Sequence, residues 1–102
     1  MAQYDLAALT AAIQAKRCLR IWYDPGVRII EPHTLGRGSD GQLLLRAFQV
    51  SGASSSSEHE NWKLLRVDMI STIEPDATPS LAPRDGYKRG DKAMKGGIIR
   101  DI

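Results

Sequence analysis

Cysteine is almost absent from this 102-residue chain: Cys18 is the only one, so an internal disulfide and any multi-cysteine zinc site are excluded. Long apolar runs are missing too, and none approaches the roughly 18 residues that a membrane-spanning helix needs. Net charge is small, +2, too little to argue for nucleic acid by itself. The N-terminal stretch MAQYDLAALTAAIQAKR carries Asp5 before its apolar part and its positive charges after it, the reverse of a secretory signal, which predicts a cytoplasmic protein. Histidine is limited to His33 and His59. The Glu58-His59-Glu60 run lies in serine-rich sequence with no rigid support and could draw only His33 as a further imidazole, so no metal is expected.

What is present is enough for one folded domain over residues 1–102, since hydrophobic residues make up 42% of the chain. Asp5 is positioned to cap a helix ending near residue 17, in which Leu6, Leu9 and Ile13 share a face, alanines favour the helical state, and Lys16 and Arg17 occupy the last turn. Residues 18–75 then read as strands. CLRIWY alternates, with Leu19, Ile21 and Tyr23 on one face, and Asp24-Pro25-Gly26 turns the chain into a second strand.

The segment RIIEPHTLGRGSDGQLLLRAF, Arg28 to Phe48, is the central hairpin: two apolar runs joined by a glycine-rich turn, with Pro32 marking an edge or a bend. Residues 51–60 form a polar, serine-rich loop. Trp62 to Val67 and Ile70 to Glu74 supply two more strands, with Trp62, Leu64 and Arg66 on one face of the former. Five short strands with tight turns and one flanking helix predict a mainly β fold, a small five-stranded SH3-like or Sm-like barrel.

Residues 76–102 read as an extended strap followed by a short helical segment, capped by Asp91, with Met94 and Ile98 one turn apart. From Arg84 to Arg100 there are six basic residues, Arg84, Lys88, Arg89, Lys92, Lys95 and Arg100, against Asp85 and Asp91. The run Tyr87 to Lys92 would extend an anion site if it folds back over the sheet. Ile98, Ile99 and Ile102 are expected to dock on the barrel or on a second subunit, which would make a homodimer.

EPHTLG, the GQLLLRAFQ strand and NWKLLRVDMIS together resemble a WYL domain, a bacterial ligand-sensing module with a small Sm-like barrel. The matching features are Ile21 to Tyr23, Arg28, the Pro32-His33 pair, the strand from Gly41, and Arg66 with Asp68. Leu43-Leu44-Leu45 stands where the family carries its Trp-Tyr-Leu triplet. With Gly86-Tyr87, Asp91 and Met94, nearly the whole chain is similar to the small stand-alone bacterial proteins of this type. The resemblance implies ligand contact by Tyr23, Arg28, His33 and Arg66, and a nucleic acid or nucleotide-like ligand. No cofactor is expected, and the chain has no room for a helix-turn-helix.

Those four residues have the chemistry an anion requires: a guanidinium fork, a switchable imidazole donor and a phenol that also stacks. Asp24, which follows Tyr23 where the family often has serine, would repel phosphate. Arg46 and Trp62 form a second candidate pair, because Arg46 interrupts an apolar strand and could lie in a groove or on an aromatic face. No Cys-His or Ser-His-Asp constellation has supporting context, so a non-enzymatic binding module is expected over a Tyr-His-Arg nuclease-like site. The alternative is a protein–protein interaction or structural module without a small ligand.

Overall fold

The computed structural model describes residues 6–54 and 61–102. Helix α1 spans Leu6–Ala15 and buries Leu9, Ala12 and Ile13; of the expected stripe Leu9 and Ile13 are buried, while Leu6 packs against the core only partly covered. It stops short of residue 17 because Lys16 adopts a left-handed conformation, φ 54°. The Lys16 and Arg17 N–H groups then bond back to the carbonyls of Ile13 and Ala12, at 3.2 and 2.9 Å, and close the last turn in the Schellman pattern. Lys16 and Arg17 therefore end the helix instead of occupying its last turn. Asp5, the expected cap, lies outside the described residues.

Six strands form one antiparallel sheet: β1 Leu19–Tyr23, β2 Gly26–Arg37, β3 Leu43–Gly52, β4 Asn61–Arg66, β5 Thr72–Pro75 and β6 Gly97–Asp101. The ladder runs β4-β3-β2-β1-β5, with β6 also paired to β2. A short 3-10 turn, Val67–Met69, joins β4 to β5. These two outermost strands are not paired with each other among the described residues, so the sheet is not closed into the expected barrel.

The sixth strand corrects the expected C-terminal helix. Asp91 opens only one turn, with the Met94 N–H on the Asp91 carbonyl at 3.1 Å. The chain then straightens, and Gly97–Asp101 pairs with Thr34–Arg37 of β2. Two adjacent isoleucines, Ile98 and Ile99, suit a pleated strand better than a helix, and the Gly96-Gly97 pair does not hold a helix through this point.

Strand β2 is the axis of the molecule. Its first half, Gly26 to Ile30, pairs with β1 across the two-residue turn Asp24-Pro25, whose peptide bond is cis. Its last part pairs with β6, and β3 follows it on the other side with register shifts at Ile29/Ile30 and Pro32/Thr34. Glu31, Pro32 and His33 lie where β1 has ended and β6 has not begun. Pro32, which has no N–H to give a ladder, falls in that gap, as a bend there requires.

One face of the sheet packs on α1. Leu9 and Ile13 meet Leu19, Ile21, Ile30, Leu35, Leu45, Ala47, Leu65 and Val67 in a single apolar core. Cys18 is buried beside it, and burial, with the charges of Glu31 and Asp76, pushes its thiol up to about 11, which makes it unreactive at neutral pH. The opposite face carries Phe48, Arg46, Trp62 and the polar run of β2, and the strap crosses it from Leu81 to Asp91. Close approach of the strap requires Gly36, where a Cβ would lie 2.6 Å from the Gly97 carbonyl oxygen and 2.9 Å from the Met94 sulfur. No helix among the described residues is long and apolar enough to cross a membrane.

Candidate functional site

The six candidate residues do not form one site. Tyr23, Arg28 and Arg66 gather around the β1–β2 turn. Arg28 is buried, 3% exposed. Its Nε donates to the Tyr23 carbonyl at 3.1 Å, one terminal nitrogen donates to the Asp24 carbonyl, and the other donates to Gln49 Oε1 at 3.3 Å. Its guanidinium carbon lies 4.8 Å from the centre of the Tyr23 ring. Burial lowers the Arg28 pKa, and the nearby Tyr23 and Asp24 act against that. All three nitrogens of the fork are thus engaged in fastening the turn. The Tyr23 hydroxyl accepts the Arg66 N–H at 3.2 Å, while the exposed Arg66 side chain pairs with Asp68 at 2.8 Å.

His33 stands in the buried gap of β2 and serves the strap. Its Nδ1 lies 2.7 Å from the Glu31 carbonyl oxygen, and its Nε2 lies 3.1 Å from the backbone nitrogen of Arg84. An amide N–H can only donate, so Nε2 accepts and the proton sits on Nδ1: this is a neutral imidazole with one assigned tautomer. Burial pulls its pKa below the ordinary histidine value, against the opposing pull of the Glu31 carbonyl and carboxylate. Glu31 itself is fully buried; its carboxylate takes Arg84 Nε at 2.7 Å and Nη2 at 3.2 Å, and the Leu81 N–H at 2.8 Å. The Arg84 guanidinium also covers the Phe48 ring, 4.4 Å from its centre. Glu31, His33 and Arg84 therefore pin residues 81–84 to the sheet.

Immediately after this anchor the strap builds a cleft of about 370 Å³. It is lined by Arg46, Trp62, Gly86, Tyr87, Lys88, Arg89, Gly90, Asp91 and Lys92. Trp62 reaches it from β4, where its partner in register is Phe48, and the two rings meet edge to face at 5.5 Å. The Trp62 and Tyr87 rings lie 6.4 Å apart and nearly parallel, at 25°, and both touch the His33 ring beneath them. The Trp62 indole N–H donates to the Asp85 carbonyl at 3.1 Å. Gly86, at φ +89°, lets the chain pass there, since a Cβ would lie 3.0 Å from the indole nitrogen.

No family model, curated protein or solved structure matches this chain. The chemistry of the cleft therefore has to be read from its own side chains. Arg46 does not lie on an aromatic face; its Nε bonds Asp91 Oδ2 at 2.7 Å and its Nη2 reaches Oδ1 at 3.4 Å. The hydrogen bond from Arg46 holds the Asp91 carboxyl below the usual carboxylate range, and the Ala93 N–H at 2.9 Å adds to it. The pair leaves the charge of the cleft to Lys88, Arg89 and Lys92. Arg89 donates from Nε and Nη2 to the main-chain oxygen of Ile102 at 3.1 and 2.9 Å, and the Tyr87 hydroxyl donates to the same oxygen at 3.3 Å. Three donors converging on one oxygen is an arrangement that suits an anionic oxygen equally well.

The sequence pattern placed Arg46 and Trp62 together, and it raised the folding back of Tyr87 to Lys92. The Glu31–Arg84 anchor and the Arg46–Asp91 pair went unread. Their partners are far apart in sequence, and the one local signal was a glutamate set between Ile30 and Pro32. Glu58-His59-Glu60 lies outside the described residues, and no group of three His, Cys, Asp or Glu that could hold a metal occurs among the described ones.

Proposed function

We propose that this protein is a non-enzymatic, ligand-sensing or regulatory module that binds single-stranded nucleic acid or a nucleotide-like anion through the basic, aromatic face of its sheet. The observation that carries this reading is the cleft where Trp62 and Tyr87 stand beside Lys88, Arg89 and Lys92. Flat rings offer a stacking surface to any base, and cations offer a seat to phosphate. The resemblance of EPHTLG, the β3 strand and NWKLLRVDMIS to a WYL domain supports the same ligand class. In that reading the sheet is an opened form of a small SH3-like or Sm-like barrel, with the bent β2 shared between its halves. The cleft differs from the Tyr23, Arg28, His33 and Arg66 set implied by the resemblance: the two guanidiniums of that set are already engaged, and His33 is the member that touches the cleft's rings.

The test is binding of fluorescent single-stranded DNA and RNA oligomers at low and moderate salt, with wild type beside Lys88→Ala/Lys92→Ala and Arg66→Ala. Saturable binding should weaken with salt, and the double variant should flatten the logarithmic salt slope by about 0.7 for each phosphate that no longer meets a lysine. Arg66→Ala should behave as wild type. Absence of oligomer binding at low salt removes the nucleic-acid ligand and leaves only the nucleotide-like anion. A second reading, a protein-interaction module, is favoured by Ile98 and Ile99, 39% and 45% exposed on a strand paired only with β2 among the described residues. It predicts that Ile99→Lys abolishes assembly and leaves oligomer binding intact.

A further inference from the structure

Four of the nine arginines of this molecule are occupied by carboxylates or turn carbonyls within the fold. Arg28 fastens the β1–β2 turn, Arg66 pairs with Asp68, Arg84 with Glu31 and Arg46 with Asp91. Lys88 and Lys92 make no hydrogen bond or ion pair among the described residues, and both border the same hollow as the Trp62 and Tyr87 rings. A groove that follows a strand needs cations and rings repeated along its length, over about 4–16 nucleotides per module. On this face Lys88, Lys92 and the Trp62 and Tyr87 rings meet in one hollow of about 370 Å³, whereas the neighbouring Phe48 ring is already covered by Arg84; that volume is at the small end of the roughly 300–1,000 Å³ that ligand pockets span. That is room for one base with its sugar and phosphate.

Building on the reading of the cleft as a nucleotide-like anion site, we infer that its ligand is one nucleotide-sized group, a free mononucleotide, and not an extended strand. The base lies against the Tyr87 and Trp62 wall, and the phosphate is held by Lys88 and Lys92. Arg89 and the Tyr87 hydroxyl, which border the same hollow, are held on the main-chain oxygen of Ile102.

The chain has two tryptophans, and Trp22 lies on the β1 strand outside the cleft, so Trp22→Phe leaves Trp62 as the sole reporter. In that background, Trp62 fluorescence is titrated with adenosine monophosphate, adenosine, inorganic phosphate and a thymidine oligomer of about ten nucleotides, a length that strand-binding grooves cover. The expected result is saturable quenching by the monophosphate, with adenosine and phosphate each weaker by about tenfold or more, because each keeps only one half of the recognition. Tyr87→Leu and Lys88→Ala/Lys92→Ala should each weaken the monophosphate by about tenfold. The lysine pair is exposed, so its variant retains the fold, and unchanged thermal midpoints confirm this for both. Oligomer binding that the monophosphate does not compete for overturns the inference and leaves the broader binding function standing. Absence of binding by oligomer and monophosphate alike overturns both.

Discussion

Glu31 holds a negative charge wholly out of water, and the Arg84 fork and the Leu81 N–H are the groups that make this tolerable. A pair of this kind contributes little beyond what well-packed apolar residues would, yet breaking it by removing one partner leaves an uncompensated charge. Arg84→Ala should therefore destabilise the fold by about 3 kcal/mol, since it strands the buried carboxylate. Glu31→Ala strands a guanidinium that is already 22% exposed at its side chain, and should be the milder change. In urea denaturation the double variant should be less damaged than the sum of the singles by about 1–3 kcal/mol. Additive single effects would show that the two groups act independently. The glutamate was visible in the sequence as a charge between Ile30 and Pro32. Its partner was not, because only the path of the strap brings Arg84 back over β2.

At the level of elements, the alternation in Leu19 to Tyr23, the turn at Asp24-Pro25 and the apolar run from Leu43 were legible, because each is a local pattern repeated over two strand faces. Strand β6 was not. Asp91 does open a turn and accept an N–H, as a helix cap would, but its carboxylate is aimed at Arg46 and the chain after Met94 finds free ladder positions on β2. Long-range pairing decided the outcome against a local helix signal. The strap itself rests on His33, whose Nε2 accepts the Arg84 N–H. A second proton on this ring would set donor against donor, next to Arg84 and beneath the Trp62 and Tyr87 rings, with only the Glu31 carbonyl and carboxylate to favour it. The folded-state pKa is depressed, so the unfolded chain binds the proton first. The stabilisation is present above the ordinary histidine value of about 6.5 and is lost as pH falls through the lowered one. Denaturation midpoints measured between pH 7.5 and 5 should fall for wild type, with no more than one proton's slope, and should be flatter for His33→Gln. Equal slopes would assign the acid sensitivity to other groups. The lowered pKa values of Asp76 and Asp91 act in a separate, more acidic window below about 3.8.

Across the whole molecule, the anchor and the cleft are successive stretches of one segment, and this couples stability to binding. Residues 81–84 are pinned by Glu31 and His33, and residues 86–92 form the wall that carries Tyr87, Lys88 and Lys92. Arg84 does not line the cleft. If the wall is held in place through its anchor, the apparent affinity is the intrinsic one multiplied by the fraction of molecules whose strap is docked. Arg84→Ala, His33→Gln and acid pH should then weaken oligomer or mononucleotide binding without removing any group that touches the ligand. The same changes should speed hydrogen exchange at the amides of residues 84–92 relative to those of β3. Local opening and global unfolding separate here, because residues 81–92 lie outside the apolar cluster that α1 closes and are fastened to the sheet through polar contacts. Affinity loss that tracks the exchange rate across the three perturbations would establish the strap as the element that holds the cleft in its binding-competent form. Faster exchange with unchanged affinity would instead place the binding determinants on β3 and β4, with Trp62 and Arg46 sufficient and the strap dispensable.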